Sequence, residues 1–401
     1  MEIRPIFASL SKHRIPALLI VLEIALACAV LCNAVFLVGQ RLADIRWPNA
    51  IDEQGLTVVT INGTDPKLAA SDMPRDLSAL RGIAGVTAAA VGTSMPLDHN
   101  PALSDFTTTP DGQTTVNSSL YFLGSGGPQA LGLHLLRGRF FNADEYADGD
   151  IKNFFSTSHV VLVTQSDAQR LWPDKDALGQ TLYSAGQSWT VIGVVADVLA
   201  MDPAVSGPGG RDSSLFFPSR PNPSMGDYVL RSAPQDRARV LREAEQILGR
   251  LEPGAVVEGQ TYAQMRADYF ANARSMAWML VLVCVVMLAV TAFGIVGLTS
   301  FWVGQRRRQI GIRRAVGATR GHILNYFQAE NFLLSSAGVV AGMALAFGIN
   351  LYLMSHYATG RMPWYYLPVS AIALWLLGQL AVLGPALRAA NVPPVVATRS
   401  V

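Results

Sequence analysis

The sequence predicts a membrane protein of four transmembrane α-helices: one, then a large extracytoplasmic α+β domain, then three more. Three observations predict it. Half of the 401 residues are hydrophobic and only 15% are charged, where a soluble globular chain carries about 25% charged residues. The apolar residues gather at the N-terminus and in the last third, on either side of a stretch, 41–274, of ordinary soluble composition. Finally, Met276 to Trp302 holds no charge and breaks directly into VGQRRRQIGIRRAVGATR. As a helix rising about 1.5 Å per residue, that run exceeds the roughly 30 Å of a bilayer's hydrocarbon.

The arginines set the orientation. Arg306, Arg307, Arg308, Arg313, Arg314 and Arg320 follow the span with no acidic residue among them. Such loops resist translocation, so residues 304–322 stay on the cytoplasmic side. The first 14 residues, with Arg4, Lys12 and Arg14, are cytoplasmic by the same argument, and 15–39 is the first span. A cleaved signal peptide would have an apolar core of about 7–15 residues and a small-residue cleavage site. This run is longer and has no such site, and Cys28 follows Ala-Leu-Ala, a poor lipoprotein signal. Glu23 lies inside the span. An intramembrane carboxylate is a functional hypothesis by default, but near the cytoplasmic end it reads first as snorkelling or facing a neighbouring helix.

Residues 41–260 form the extracytoplasmic domain. LTVVTI (56–61), VTAAAV (86–91), DYVLRS (227–232) and AVVEG (255–259) read as strands, with helices at Met73–Arg81 and Pro234–Leu251. Two strand–helix–strand units predict a ferredoxin-like part, about 50–121 and 222–260. Between them, at about 122–220, a β-rich insertion is predicted. It carries strands at 158–164 and 188–198, and a short helix 165–172 with Ser166 as N-cap. Pro234 suits the first turn of its helix. Pro, Gly and Ser mark 201–214 as a loop. Cys28, Cys32 and Cys284 all fall in apolar runs, so the domain folds without disulfides.

Residues 261–303 then run without a break signal from a polar stalk into the second span. The third span is 323–353, and an outer loop, 354–366, carries Arg361, Trp364, Tyr365 and Tyr366 as an interfacial belt. The fourth span is 367–387, and the tail 388–401 brings Arg388 and Arg399 back inside. Gly338, Gly342 and Ala346 recur every four residues, the spacing that lets membrane helices approach closely.

No catalytic motif is present. The chain has no Gly-x-x-x-x-Gly-Lys-Ser/Thr phosphate loop and no His-Glu-x-x-His, and GSGGP (124–128) reads as a turn. The six histidines are scattered, with His134 and His159 read as exposed or satisfied, and Asp144 and Glu145 as solvated surface. We expect no enzyme activity, no cofactor or metal held by this chain, and no nucleic-acid partner.

A positive-inside loop needs arginines, but not Ile310 and Ile312 interleaved among them, nor glycines at 311 and 317. On those residues, QRRRQIGIRRAVGATRGHI (305–323) resembles the cytoplasmic coupling motif of the MacB/FtsX-like permeases, membrane subunits of a class of ABC transporters. The likeness continues through ILNYFQAENFLLSSAGVVAG (323–342), where Glu330 matches a recurrent glutamate, and PALRAANVPPVVATRS (385–400). In the outer domain it takes in LGLHLLRGRFF (131–141) and DALGQTLYSAGQSWTVIGVVADV (176–198). One departure is Gln309, where the family usually has Glu.

The resemblance implies an inner-membrane permease working as a homo- or heterodimer with a cytoplasmic ABC ATPase, which holds ATP and Mg and comes from another polypeptide. It also allows a periplasmic membrane-fusion adaptor and an outer-membrane channel. Arg306, Arg307, Arg308, Gln309, Ile310, Gly311, Ile312, Arg313, Arg314, Ala315, Gly317 and Ala318 would couple to the ATPase. Ile310 and Ile312 would bury in its cleft, while Arg313 and Arg314 meet acidic groups and Gly317 lets the chain leave the helix. Thr261–Trp302 would be the lever and 41–260 the working end. The implied activity is efflux or export of a periplasmic substrate. The alternatives are an FtsX-like regulator of a cell-wall hydrolase, or Lol-like lipoprotein extraction.

Overall fold

The structure, a computed structural model, describes residues 14–64, 66–98, 102–110, 112, 115–146, 158–203, 206, 210–220, 226–357 and 360–391. Arg4, Lys12 and Arg399, and positions 204, 205 and 207–209 of the expected loop, lie outside the described residues. The chain divides into two compact units. One joins the residues up to Arg46 to those from Ala273 onward, and the other is Trp47–Asn272.

The chain opens with α1 (Arg14–Ile45). It outlasts the expected span because helical hydrogen bonding continues through polar Gln40, Arg41 and Asp44, which hydropathy cannot credit. In the second unit, β1 (Leu56–Asn62), α2 (Pro66–Arg81) and β2 (Val86–Gly92) form the first strand–helix–strand unit. The insertion follows, with β3 (Leu103–Thr107), β4 (Thr115–Leu123), α3 (Gly127–Leu131), β5 (Leu135–Gly138), β6 (Val160–Thr164), α4 (Gln165–Leu171), β7 (Thr181–Ser184), β8 (Gln187–Val195) and β9 (Ser214–Pro218). The second unit then completes as β10 (Asp227–Ser232), α5 (Arg237–Leu251) and β11 (Val256–Thr261).

The strand order β11-β1-β10-β2, antiparallel throughout, is the ferredoxin-like arrangement that the sequence predicts. Leu80 of α2 and Val240, Ala244 and Leu248 of α5 cover one sheet face, against Val59, Ile61, Val91 and Leu230. Fully burying each larger side chain contributes about 1.5–3 kcal/mol.

In the insertion the pairings β4-β3-β7-β8-β6-β9 return to β4, closing a six-stranded ring. A ring this small is filled by its own side chains. Trp189 stands edge-on to Phe106 and Phe217, with centroids 5.9 and 5.5 Å away. This corrects the expected boundary at 122. Phe106, Val116 and Leu120 belong to the ring's core, so β3 and β4 are part of the insertion, which begins directly after β2.

Two local expectations also change. Pro234 sits in the turn before α5, whose N-cap is Asp236. Thr164, not Ser166, precedes α4. Ser166 instead bonds Asp197, its amide to Oδ1 at 2.8 Å, and its hydroxyl lies 2.7 Å from both Asp197 Oδ2 and Asp212 Oδ2. Beside it Asp167 is fully buried, held by Ser213 Oγ at 2.6 Å and Ser118 Oγ at 3.2 Å. Burial pushes its carboxyl up to about 7.

The stretch expected to run as one helix from 261 is two. Thr261 and Gln264 form a reciprocal cap on α6 (Tyr262–Tyr269), which ends at Phe270 before α7 (Ala271–Gln305) begins. The Phe270 backbone leaves the helical region as its ring is buried, with the Arg266 guanidinium 5.6 Å above it. After α7 come α8 (Arg307–Ala315), α9 (Arg320–Tyr357) and α10 (Tyr366–Ala390). Helices α1, α7, α9 and α10 are long and apolar enough to cross a membrane.

Candidate functional site

The site is built around α8. At Arg306 the backbone leaves the α7 geometry, with φ −98° and ψ 10°, and a new helix starts at Arg307. Its far end closes when the Ala318 amide donates to Arg313 O at 3.0 Å. Gly317 takes φ +105° in that closure, a conformation a β-branched residue could not adopt without strain.

Successive residues on a helix lie about 100° apart, so Ile310 and Ile312 point to opposite sides. Ile310 and Gly311 are buried, Ile310 in the apolar cluster with Ile323 and Phe327 of α9 and Ala386 and Ala389 of α10. Ile312 is half exposed and Val316 83% exposed. This corrects the expectation that both isoleucines offer surface to a partner: Ile310 seats α8 on its own bundle, and only Ile312 is presented. Arg307, Arg308, Gln309, Arg313 and Ala315 are exposed as well. Arg308, Ile312 and Val316 recur every four residues along one face, a basic stripe with an apolar centre. Val316 was missed in the sequence, although its four-residue step from Ile312 was there to find.

A buried ion pair ties this element to the bundle. Arg306 Nη1 donates to Glu330 Oε1 at 3.1 Å and Oε2 at 3.0 Å, with the side chains 11% and 2% exposed. The guanidinium also lies 5.6 Å above the Trp302 ring. Arg306 Nη2 and Trp302 Nε1 are buried without hydrogen-bond partners. Further along, the Arg313 guanidinium stands 5.0 Å over the Tyr326 ring, while Arg314 is half-buried.

The small-residue stripe packs against α1. A Cβ on Gly338 would stand 2.8 Å from Ile24 Cβ, and one on Gly342 2.7 Å from Ala25 O. One step on, Ala346 O accepts from Asn33 Nδ2 at 3.2 Å. Glu23, half-buried, lies against α7 at Gly294, where a Cβ would stand 2.7 Å from its carboxyl carbon. Glu23 and Glu330 therefore occupy separate helix contacts. Among the described residues no group of His, Cys, Asp or Glu is placed to hold a metal ion.

The MacB-like periplasmic core domain profile matches residues 20–267, and the FtsX-like permease C-terminal profile matches 281–394. The chain is 26% identical over 291 residues to the macrolide export ATP-binding/permease protein MacB of Chromobacterium violaceum, covering 70% of this chain and 43% of that one. It is 24% identical over 341 residues to the uncharacterized ABC transporter permease YknZ of Bacillus subtilis, covering 81% and 78%. The solved periplasmic region of MacB from Actinobacillus actinomycetemcomitans aligns with 57% of this chain and 97% of its own, at 15% identity and a TM-score of 0.36. The chain spans about two-fifths of the length of the MacB relatives it matches.

Proposed function

Since the chain belongs to the family of permeases that join a MacB-like periplasmic core domain to an FtsX-like permease C-terminal region, we propose that α8 docks an ATP-hydrolysing subunit at the cytoplasmic face and passes its motion to the periplasmic domain. The chain is a multi-pass inner-membrane permease with its large domain in the periplasm. The observation that carries the reading is the two-sided character of α8. Its inner side is locked to the bundle by Ile310 and the Arg306–Glu330 pair, while its outer side offers Ile312 and Val316 among arginines.

A helix fixed on one face and free on the other can transmit a push. Were it loose, a docked subunit would move the helix and not the bundle. Ile312 and Val316 supply the apolar surface for a cleft, and Arg307, Arg308 and Arg313 supply the charge that steers acidic groups toward it. The docked subunit holds ATP and Mg, and a second permease chain completes the assembly. The work done is export of a periplasmic substrate, handed to a periplasmic adaptor and an outer-membrane channel.

The test is the double variant Ile312→Ser, Val316→Ser in nanodiscs, read by co-purification with the ATP-binding subunit and by stimulated ATP turnover. Burying what these two side chains now expose is worth about 2–4 kcal/mol, or roughly 30–1,000-fold in affinity. Membrane insertion and arginine count stay unchanged. Wild-type association by that variant would reduce α8 to a topology signal.

A further inference from the structure

The insertion is held at more than one place. It meets the ferredoxin-like half where β4 joins β2 at Gly92 and Leu123, with Thr93 N donating to Phe122 O at 3.1 Å and Gly124 N to Val91 O at 2.8 Å, and where Arg231 of β10 donates to the carbonyls of Gln129 and Ala130 in α3. Those contacts lie along one joint. Elsewhere the segment 196–202, which follows β8, runs through the insertion's own packing. Val198, Leu199, Ala200 and Met201 are buried. Leu199 O accepts from Tyr121 Oη at 2.8 Å, Ala200 N donates to Arg211 O at 2.8 Å, and Met201 N donates to Ser119 Oγ at 3.2 Å.

The same segment reaches outward to both stretches of chain that lead to membrane helices. On the side that follows α1, Asp197 O accepts from Ala50 N at 3.1 Å, and Leu199 N donates to Asn49 Oδ1 at 3.3 Å. The Arg211 guanidinium also lies 4.7 Å above the Trp47 ring. On the side that precedes α7, Tyr269 Oη donates to Asp202 Oδ1 at 2.5 Å. These two stretches are joined to each other as well. Arg266 donates to Glu53 Oε1 at 2.6 Å and to Trp47 O at 2.7 Å, and Asn49 Nδ2 donates to Tyr262 Oη at 3.3 Å.

We infer that residues 196–202 are a strap that pins the insertion directly to the two membrane-leading stretches, through Asn49 and Tyr269, and so fixes its angle to the ferredoxin-like half. A body attached along one joint can rotate about it, and a second attachment away from the joint removes that freedom. Displacement of 47–53 or 262–270 is then delivered to the insertion at once, without passing through the ferredoxin-like sheet. Asn49 and Tyr269 act as positioning residues. Their hydrogen bonds cross between segments far apart in sequence, and each can be deleted without touching either core.

The experiment uses the full chain in nanodiscs, with spin labels at Gln187→Cys, exposed at the start of β8, and Gln246→Cys on the exposed side of α5, in a Cys284→Ala background. Electron–electron distance measurement should give one narrow distribution. Adding Asn49→Ala and Tyr269→Phe should at least double its width, while amide exchange in the β1–β10 and β6–β8 pairs stays at the parent level. An unchanged width would overturn the strap as assigned to Asn49 and Tyr269, because the angle would then be held without them. Loss of protection in those strand pairs would overturn it too, by placing Asn49 and Tyr269 among the groups that hold the cores together. Neither result depends on an ATP-binding subunit, so the strap and the docking role of α8 stand or fall separately.

Discussion

Replacing Glu330 with Gln tests whether α8 is seated by its ion pair. The Glu330 carboxylate is 2% exposed, and its two oxygens accept from Arg306 Nη1 at 3.0 and 3.1 Å. Neutralising it leaves a guanidinium 11% exposed beside the Trp302 ring, with Nη2 already lacking a partner. Removing one member of a buried pair costs about 3–5 kcal/mol, because the remaining charge stays desolvated. An amide still accepts one hydrogen bond, so about 3 kcal/mol is expected. Released from the bundle, α8 can unfold around Arg307 and Arg308, whose side chains are already exposed, giving trypsin the extended backbone it needs, and cleavage tracks the open population when opening is fast. Cleavage at those arginines should therefore rise roughly 100-fold in Glu330→Gln. The double replacement Arg306→Met, Glu330→Met should return most of the protection, since an apolar pair of similar size is often neutral or better than a buried ion pair. Two results would refute the reasoning: wild-type cleavage in Glu330→Gln, or a double variant as sensitive as the single.

At the α1–α9 contact, Gly342→Ala should destabilise the chain by about 1–3 kcal/mol, an overpacking cost. Its Cβ would press on the Ala25 carbonyl, which is backbone and cannot turn away, whereas Gly348→Ala, with open space around it, should leave the melting temperature in detergent unchanged. In the insertion, the Asp167 carboxyl is raised by burial to about 7 from an unfolded value near 4. The folded state then holds the proton more tightly, so this group's contribution is full below about pH 4 and is lost as pH rises toward 7. Wild type minus Asp167→Asn, compared by melting at pH 5, 6 and 8, should therefore decline with pH. A difference that grows with pH would show that Asp167 is ionised in the fold.

The four spans were legible because bilayer thickness imposes a length on them and arginine imposes a side, both properties of contiguous sequence. The ferredoxin-like half was legible for a related reason. LTVVTI and DYVLRS are bounded by turn residues, and each unit carries its helix between its strands. The allegiance of β3 and β4 was not, because Phe106 and Leu120 look the same whether they face β2 or the ring. The choice is made by Trp189 and Phe217, some 70 to 110 residues further along. At α8 the limit was finer. That Ile310 and Ile312 face opposite ways follows from helical geometry alone, but which one faces inward is set by an apolar cluster contributed by other helices, distant in sequence. Once that choice is known, Gln309 acquires a definite place. It is exposed, and it stands three and four residues before Ile312 and Arg313, on the presented side and away from Ile310. A carboxylate at that position would leave the seat of α8 intact and add one negative charge to an otherwise basic exposed face.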